Sequence, residues 1–512
     1  MLPPKTPPRS GPLGPIPRAL GALGVAVLVA WLGVGCTGCG KSEPPPSGPV
    51  GEGFPEPLSA RQDSGARALA VGPFVNLRDA GWLEDGRAWG WGDLDDERQV
   101  FFTVTPEGAV RTTEIPAEAQ LASALPLPDG GGCVGVHYAD FTAWVHPVEG
   151  QPIPLGAASA LSLSPHGRYL LRSDRESVGC LDTASWAPTP LPAVPHLEFP
   201  YSFCHIAWLD DTLLAVRVPG ADPRSCALRL VRLPDGEVLA ELCEPGAHLA
   251  PVTAPGGAWL AVVVIRSSEA VYLEEAAFPV TAGSELRIYS RESLAAGAEA
   301  GSGAPPQPAV VLRATDGQVF RHPVWSPDAS RLAYVESPAP SGPTEARPAQ
   351  SAGERTFVAG APGFIPVPVT LPSGGPYYPR AFSPDGSYLA LVPGGTTAGE
   401  PGAAGLAVWD VAAGREVPVP DGLRDSRDPV WLDRELLLAV APDEAGDPTR
   451  LRLWRLGTEE ALDPHWSDGA RRVVPGGRWV ALVVAPEGPA TVEPFGRLRG
   501  GEWLLLYEVP GD

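Results

Sequence analysis

Few residues in this sequence are arranged as catalytic machinery usually is. There is no Gly-x-Ser-x-Gly turn to lift a serine nucleophile above a sheet. Nor is there a His-Glu-x-x-His zinc helix or a glycine-rich loop opening a helix for phosphate. The eight histidines are scattered. His137 and His146 fall in or beside predicted strands of one unit, and two imidazoles without a third ligand are read as structural. Asp93, Asp95, Asp96 and Glu97 crowd four carboxylates into one short stretch that could offer Ca²⁺ several oxygens. Their spacing is not that of an EF-hand loop, so a solvated turn is the expectation. Apart from Cys36 and Cys39, five cysteines remain (Cys133, Cys180, Cys204, Cys226 and Cys243), without zinc-ligand spacing and odd in number. Cys226 and Cys243 lie equally far from the centre of the turn Leu233-Pro234-Asp235-Gly236. A symmetric hairpin would set them opposite each other as a candidate disulfide; two separate buried thiols is the alternative. The fifteen tryptophans sit mostly at strand positions and are read as core, not as a sugar platform. No catalytic, cofactor-binding or metal-ligating residue is assigned.

The N-terminus has the three-part plan of an export signal. Lys5, Arg9 and Arg18 supply positive charge, and seventeen uncharged residues follow, Ala19 to Gly35, centred on Ala22–Ala30. Then come Leu32-Gly33-Val34-Gly35-Cys36-Thr37-Gly38-Cys39. Small residues before a cysteine resemble a bacterial lipoprotein signal, which implies cleavage before Cys36 and acylation there. Leu32 lies four residues before Cys36 rather than the usual three, and Cys39, after Gly38, is the second choice. An uncleaved anchor and simple secretion are the other readings of this segment. Thr37, standing where an Asp would favour inner-membrane retention, points to the outer membrane. Residues 36–67, with Glu43-Pro44-Pro45-Pro46-Ser47-Gly48-Pro49, have almost no apolar periodicity and read as a disordered tether.

The rest of the chain, 68–512, repeats one pattern. A short strand ends in an apolar residue, a tight turn follows, and a second apolar strand leaves it. The clearest copies are Phe382-Ser383-Pro384-Asp385-Gly386-Ser387-Tyr388-Leu389-Ala390-Leu391 and Trp325-Ser326-Pro327-Asp328-Ala329-Ser330-Arg331-Leu332-Ala333-Tyr334. Pro presets φ, Asp bonds its own backbone and Gly accepts positive φ, which together make a hairpin turn. Turn centres fall near residues 85, 129, 165, 210, 255, 327, 384, 433 and 475, mostly at the spacing of a four-stranded propeller blade. The aromatic-Ser-Pro-Asp-Gly copies resemble the WD40-like (PD40) repeat of TolB-type β-propellers. The resemblance implies an all-β chain, a single propeller of four-stranded blades. Eight blades is the best number, within seven to nine, the closely spaced turns at Asp129 and Pro165 being the expected overcount. The last unit holds only three strands, and Ala68–Val75 is predicted to supply the fourth and close the ring.

Gly and Pro number 60 and 63, which suits many short strands joined by turns. The net charge is −22, and −25 once the three basic residues of the first 35 are removed. No basic stripe exists for a nucleic acid to meet. The expected function is that of an envelope-anchored lipoprotein acting as a non-catalytic, protein-binding β-propeller scaffold. It would be monomeric, free of cofactors and nucleic acid, and in contact with membrane only through its anchor. The alternative is a propeller lyase or hydrolase with its site in the central channel. Long connections, 266–284, 336–354, 393–405 and 485–500, all follow a second strand. They are predicted to gather on one face, opposite a smooth face of four-residue turns.

Overall fold

The computed structural model describes residues 54, 57–61, 67–95, 98–116, 119–174, 178–191, 206–219, 226–243, 247–266, 284–299, 305–338, 353–372, 377–393, 405–424, 426–442, 448–459, 470–476, 479–484, 490–492, 496–498 and 501–508. They form nine antiparallel sheets arranged as the blades of a propeller, spanning 76–116, 121–157, 160–189, 206–243, 247–313, 318–368, 377–417, 427–455 and 470–508. In each blade the chain runs outward from a first, innermost strand. Blade eight has three described strands. All nine sequence turns join a first strand to a second. The units at Asp129 and Pro165 are therefore both real blades, and the count is nine, not eight.

Burial explains the sequence pattern. Second and third strands are covered by neighbouring blades on both faces, so they read as unbroken apolar runs rather than alternating ones. Trp479–Val484 is buried at every position, and Glu502–Glu508 at all but the last. Fourth strands are open: all four residues of Ile365–Pro368 are exposed. Each of the nine blade interfaces holds its own apolar cluster.

The turns are held by their own side chains. Asp385 accepts hydrogen bonds from Ser383 Oγ at 2.8 Å, Ser387 N at 3.0 Å and Ser387 Oγ at 2.7 Å, while Gly386 takes φ 71°. Burial opposes the Asp385 charge, but these donors outweigh it and hold the carboxyl below its ordinary range. In the turns that lack proline, Asp433 does the same work, accepting from Glu435 N and Leu436 N, both at 2.7 Å.

Two kinds of hydrogen bond link consecutive blades. Near the turn end of a first strand, a tryptophan indole N–H donates to the preceding blade. Trp82 reaches Val474 O at 2.9 Å, Trp208 reaches Ser162 Oγ at 3.1 Å, and Trp325 and Trp431 reach Val252 O and Ala381 O at 3.1 Å. At the other end, a polar residue opening a third strand meets the backbone of the next first strand. Gln99 Oε1 accepts from Leu121 N at 2.8 Å, Glu502 Oε2 accepts from Leu77 N at 2.6 Å, and Thr356 Oγ1 donates to Tyr377 O.

The ring closes as the sequence predicts. Arg67–Phe74 pairs antiparallel with Glu502–Glu508 and completes blade nine. Its side chains alternate: Ala68 and Ala70 face blade eight, whereas Leu69 and Val71 face blade one. The stretch assigned to the tether differs at its end. Leu58–Arg61 is a fifth strand on the outer edge of blade nine. Phe54 packs 6.0 Å from Phe74 and 5.5 Å from Phe102, so this end of the stretch has an apolar site to dock on.

Candidate functional site

A propeller has two faces. In a four-strand meander the first-to-second and third-to-fourth connections share one, and the second-to-third connections share the other. No first-to-second connection here exceeds five residues. The second-to-third connections of blades five, six, seven and nine run over 267–283, 339–354, 394–406 and 485–501, so the four long insertions leave the same face. Most of their residues lie outside the described ones. The last contains a small hairpin, Ala490–Val492 with Gly496–Leu498, whose Leu498 joins the apolar cluster between blades eight and nine. The opposite face is not smooth. Helix Arg291–Glu299 follows the third strand of blade five and caps the turns of blades four and five. Its Leu294 is buried with Leu209 and Leu213, and Arg291 pairs with Asp210.

The first strands are irregular, near their starts in blades eight, nine, one and two and midway along or later in blades six and seven. Six consecutive blades carry an extra residue there. The register shifts between Arg321 and Val324, Pro379 and Ala381, Arg427 and Val430, Ala470 and Arg472, Leu77 and Asp79, and Leu121 and Ser123. Blades three, four and five have regular first strands. A bulge re-aims the side chain of its extra residue. A first strand has neighbouring blades on both faces and its own second strand on its outer edge. The exposed side chains of His322 and Arg380 therefore open on the central channel or its mouth. His322, at φ 50°, lies 4.9 Å from the Tyr378 ring, and the Tyr378 hydroxyl donates to Glu354 at 3.1 Å. Behind them the buried Glu336 carboxylate accepts from Arg355 at 2.7 Å and from Thr315 N. Sequence reasoning missed this mouth. The available signal was a basic or imidazole residue a few positions before the turn aromatic, as in Arg321-His322 before Trp325 and Arg380 before Phe382.

The residues singled out from sequence are distributed differently. Cys36 and Cys39 lie outside the described residues. Asp93 is engaged by Arg78 at 3.0 Å and by Gln99 Nε2 at 2.9 Å, and Asp95 by Arg98 at 2.6 Å. Asp96 and Glu97 lie outside the described residues. Among the described residues no three His, Cys, Asp or Glu side chains converge as metal ligands. The symmetric-hairpin argument for Cys226 and Cys243 fails on register. A bulge between Leu230 and Val231 sets Ala227 opposite Cys243, and one residue of slip reverses the face. The Cys243 thiol is free, as are those of Cys133 and Cys180. No described tryptophan is exposed, in line with the core reading.

His137 and His146 do come together. Their Nε2 atoms are 3.2 Å apart, one ring donating to the other, and Trp144 stacks 5.2 Å from His137. Cys133, the cross-strand partner of His146, packs against blade one, so the pair lies on the side of blade two that faces blade one. Burial holds both imidazoles neutral, lowering His137 to about 4 and His146 to about 3, the latter helped by His137.

No known family's sequence profile matches this chain, and neither does any curated protein. Solved structures do. A eukaryotic initiation factor superposes with a TM-score of 0.50 at 12% identity, covering 79% of this chain and 94% of its own. The fold is a β-propeller. An oligogalacturonate lyase in complex with manganese (TM-score 0.36, 14% identity, 91% and 98% covered) is also similar. So is Porphyromonas gingivalis dipeptidyl peptidase 4 (0.43, 11%, 77% and 64%). At these identities the likeness concerns fold alone, and the fold hosts both enzymes and other proteins.

Proposed function

We propose that this chain is a non-catalytic binding propeller of the TolB-like type, anchored in the bacterial envelope by acylation of Cys36, with Cys39 the second choice. The outer membrane is the favoured site, and the partner is an envelope protein. The observation that carries the binding role is the gathering of the four long second-to-third connections on one face of a ring whose first-to-second turns are all short. Long loops on a rigid scaffold are where binding residues concentrate. The scaffold has the rigidity that role needs, since apolar clusters and hydrogen bonds join blade to blade.

Two measurements test this reading. Crosslinked capture from native envelopes, followed by mass spectrometry, is compared between the native chain and one whose four insertions are cut to tight turns. The shortened chain should fold and lose its specific partner. Retained capture, with loss instead on substitution of Glu84 and His166 in the opposite turns, would reassign the face. Labelling with a lipid analogue should vanish in Cys36→Ala. Label that persists there and vanishes in Cys39→Ala moves the anchor by three residues, and label that survives both removes it.

A further inference from the structure

A cleft of about 290 Å³ lies between blades four and five, at the small end of ligand-pocket size. Its larger wall is the face of blade five that looks toward blade four. Residues directly opposite each other in paired strands share a face. Val264 stands opposite Glu285, and Glu285 opposite Arg313; Val262 stands opposite Arg287, and Arg287 opposite Val311. Val262 and Val264 pack with Leu228 and Leu242 of blade four, so both rows, arginines included, face that blade. The end of blade four's outer strand, Glu237–Cys243, closes the other side, and residues 305–308 run along the rim.

The polar end of the cleft is built around Glu285, which is buried. Its carboxylate accepts from Arg287 at 2.7 Å and lies 3.3 Å from Arg266 and 3.4 Å from Arg313. Burial opposes its charge, but Arg287 and Arg266 outweigh that and hold the carboxyl below its ordinary range. One ionised carboxylate therefore gathers three guanidiniums. They are not held alike. Arg287 gives two hydrogen bonds to Oε2 and its side chain is 22% exposed, whereas Arg313 reaches Oε1 through Nε alone and is 77% exposed. A guanidinium carries five N–H donors, so Arg313 keeps donors to spare at the edge of the cleft. Beside it on the same face Val311 is 36% exposed, an apolar surface next to the charge.

We infer that this cleft binds a small organic carboxylate with a short apolar tail, its carboxylate on Arg313 and its tail against Val311 and the proline-lined rim. The guanidinium is a flat fork of donors that matches a carboxylate in pairs. An inorganic anion gains nothing from Val311, and a neutral apolar molecule gains nothing from Arg313, so the site favours a ligand that carries both features. The cleft is too small for a long chain. A free acid and the C-terminus of a peptide with an apolar last residue share this chemistry. The inference does not rest on the partner-binding reading.

The probes are hexanoate, hexan-1-ol and an N-acetylated apolar dipeptide with a free carboxylate, each titrated into the full chain and followed by saturation-transfer NMR. The relative affinity of hexanoate and the dipeptide tells a free acid from a peptide C-terminus. Hexan-1-ol, with the same tail and no charge, should bind more weakly than hexanoate, and added NaCl should weaken hexanoate. Arg313→Gln should weaken both acids by about fivefold, the scale of one partly exposed charged contact. Val311→Glu sets a competing carboxylate beside the same arginines and should abolish binding. Arg415→Gln, on the outer strand of blade seven, should leave it unchanged. Arg313 is exposed, so its substitution leaves the core intact, and an unchanged melting temperature checks this. Absence of binding for both acids at millimolar concentration overturns the inference. So does equal affinity in the native chain and Arg313→Gln, an equal loss in Arg415→Gln, or hexan-1-ol binding as well as hexanoate.

Discussion

Trp431 shows how one side chain joins two blades. Its ring is buried between blades seven and eight, and its indole N–H satisfies Ala381 O at 3.1 Å. Trp431→Phe keeps most of the packing and orphans a carbonyl, so chemical denaturation should show a loss of about 1 kcal/mol. A substantially smaller loss would mean that water replaces the indole. His146 answers a different question. Both histidines of blade two are neutral in the fold, with pKa values lowered to about 3 and about 4, whereas the unfolded chain protonates near pH 6.5. The folded state refuses protons that the unfolded state accepts. Stability is therefore full above pH 6.5 and falls as the pH drops toward 4 and then 3. In His146→Leu the fall in melting temperature between pH 6.5 and 4 should be smaller than in the native chain. An identical fall would place the acid sensitivity elsewhere. The two residues were visible in the sequence, but the distance between their rings was not. It depends on the hairpin register that puts both on one face.

Among the elements, the outer strands carry the greatest risk, because an open edge recruits other strands. Ile365–Pro368 has Ile365 at 76% and Val367 at 49% exposed. Val369 N bonds Thr356 O on the same register, so the residues whose N–H would point outward are 366 and 368. Both are proline, and the edge offers no donor there. Pro366→Thr with Pro368→Thr restores two donors beside two exposed aliphatic residues. Sedimentation velocity should then show concentration-dependent self-association that the native chain lacks. The closing strand is the opposite case. Leu69, Val71 and Phe74 are at most 2% exposed, and each such side chain stabilises by about 1.5–3 kcal/mol. Deleting residues 66–75 should lower the melting temperature in one cooperative step. An unchanged transition would show that the ring does not depend on this strand.

For the whole molecule, charge and size act together. A formal charge of −22 on the whole chain means net self-repulsion, which salt screens over about 10 Å at 0.1 M. Raising NaCl from about 10 to about 200 mM should increase the melting temperature by a few degrees. A decrease would mean that ion pairs such as Arg78 with Asp93 outweigh the repulsion. The ring has nine blades rather than eight. The ninth comes from accepting both close-spaced units, 121–157 and 160–189, which are short because their connections are short, not because a strand is absent.

Local chemistry made much of this legible from sequence. Ser383-Pro384-Asp385-Gly386 builds the same turn wherever it occurs, because its hydrogen bonds stay within five residues. The apolar runs beside each turn identify strands covered on both faces. A last unit short of one strand, with a spare apolar segment at the start of the domain, implies the closure. Other features lie in no single segment. The bulge at Leu230 that separates Cys226 from Cys243 is a difference of one residue between paired strands, and no spacing rule records it. The meeting of His137 with His146 follows from register. The helix Arg291–Glu299 gains its place by burying Leu294 on a neighbouring blade. A contact within one turn is encoded by its neighbours, whereas a contact across blades is decided by the packing of the whole.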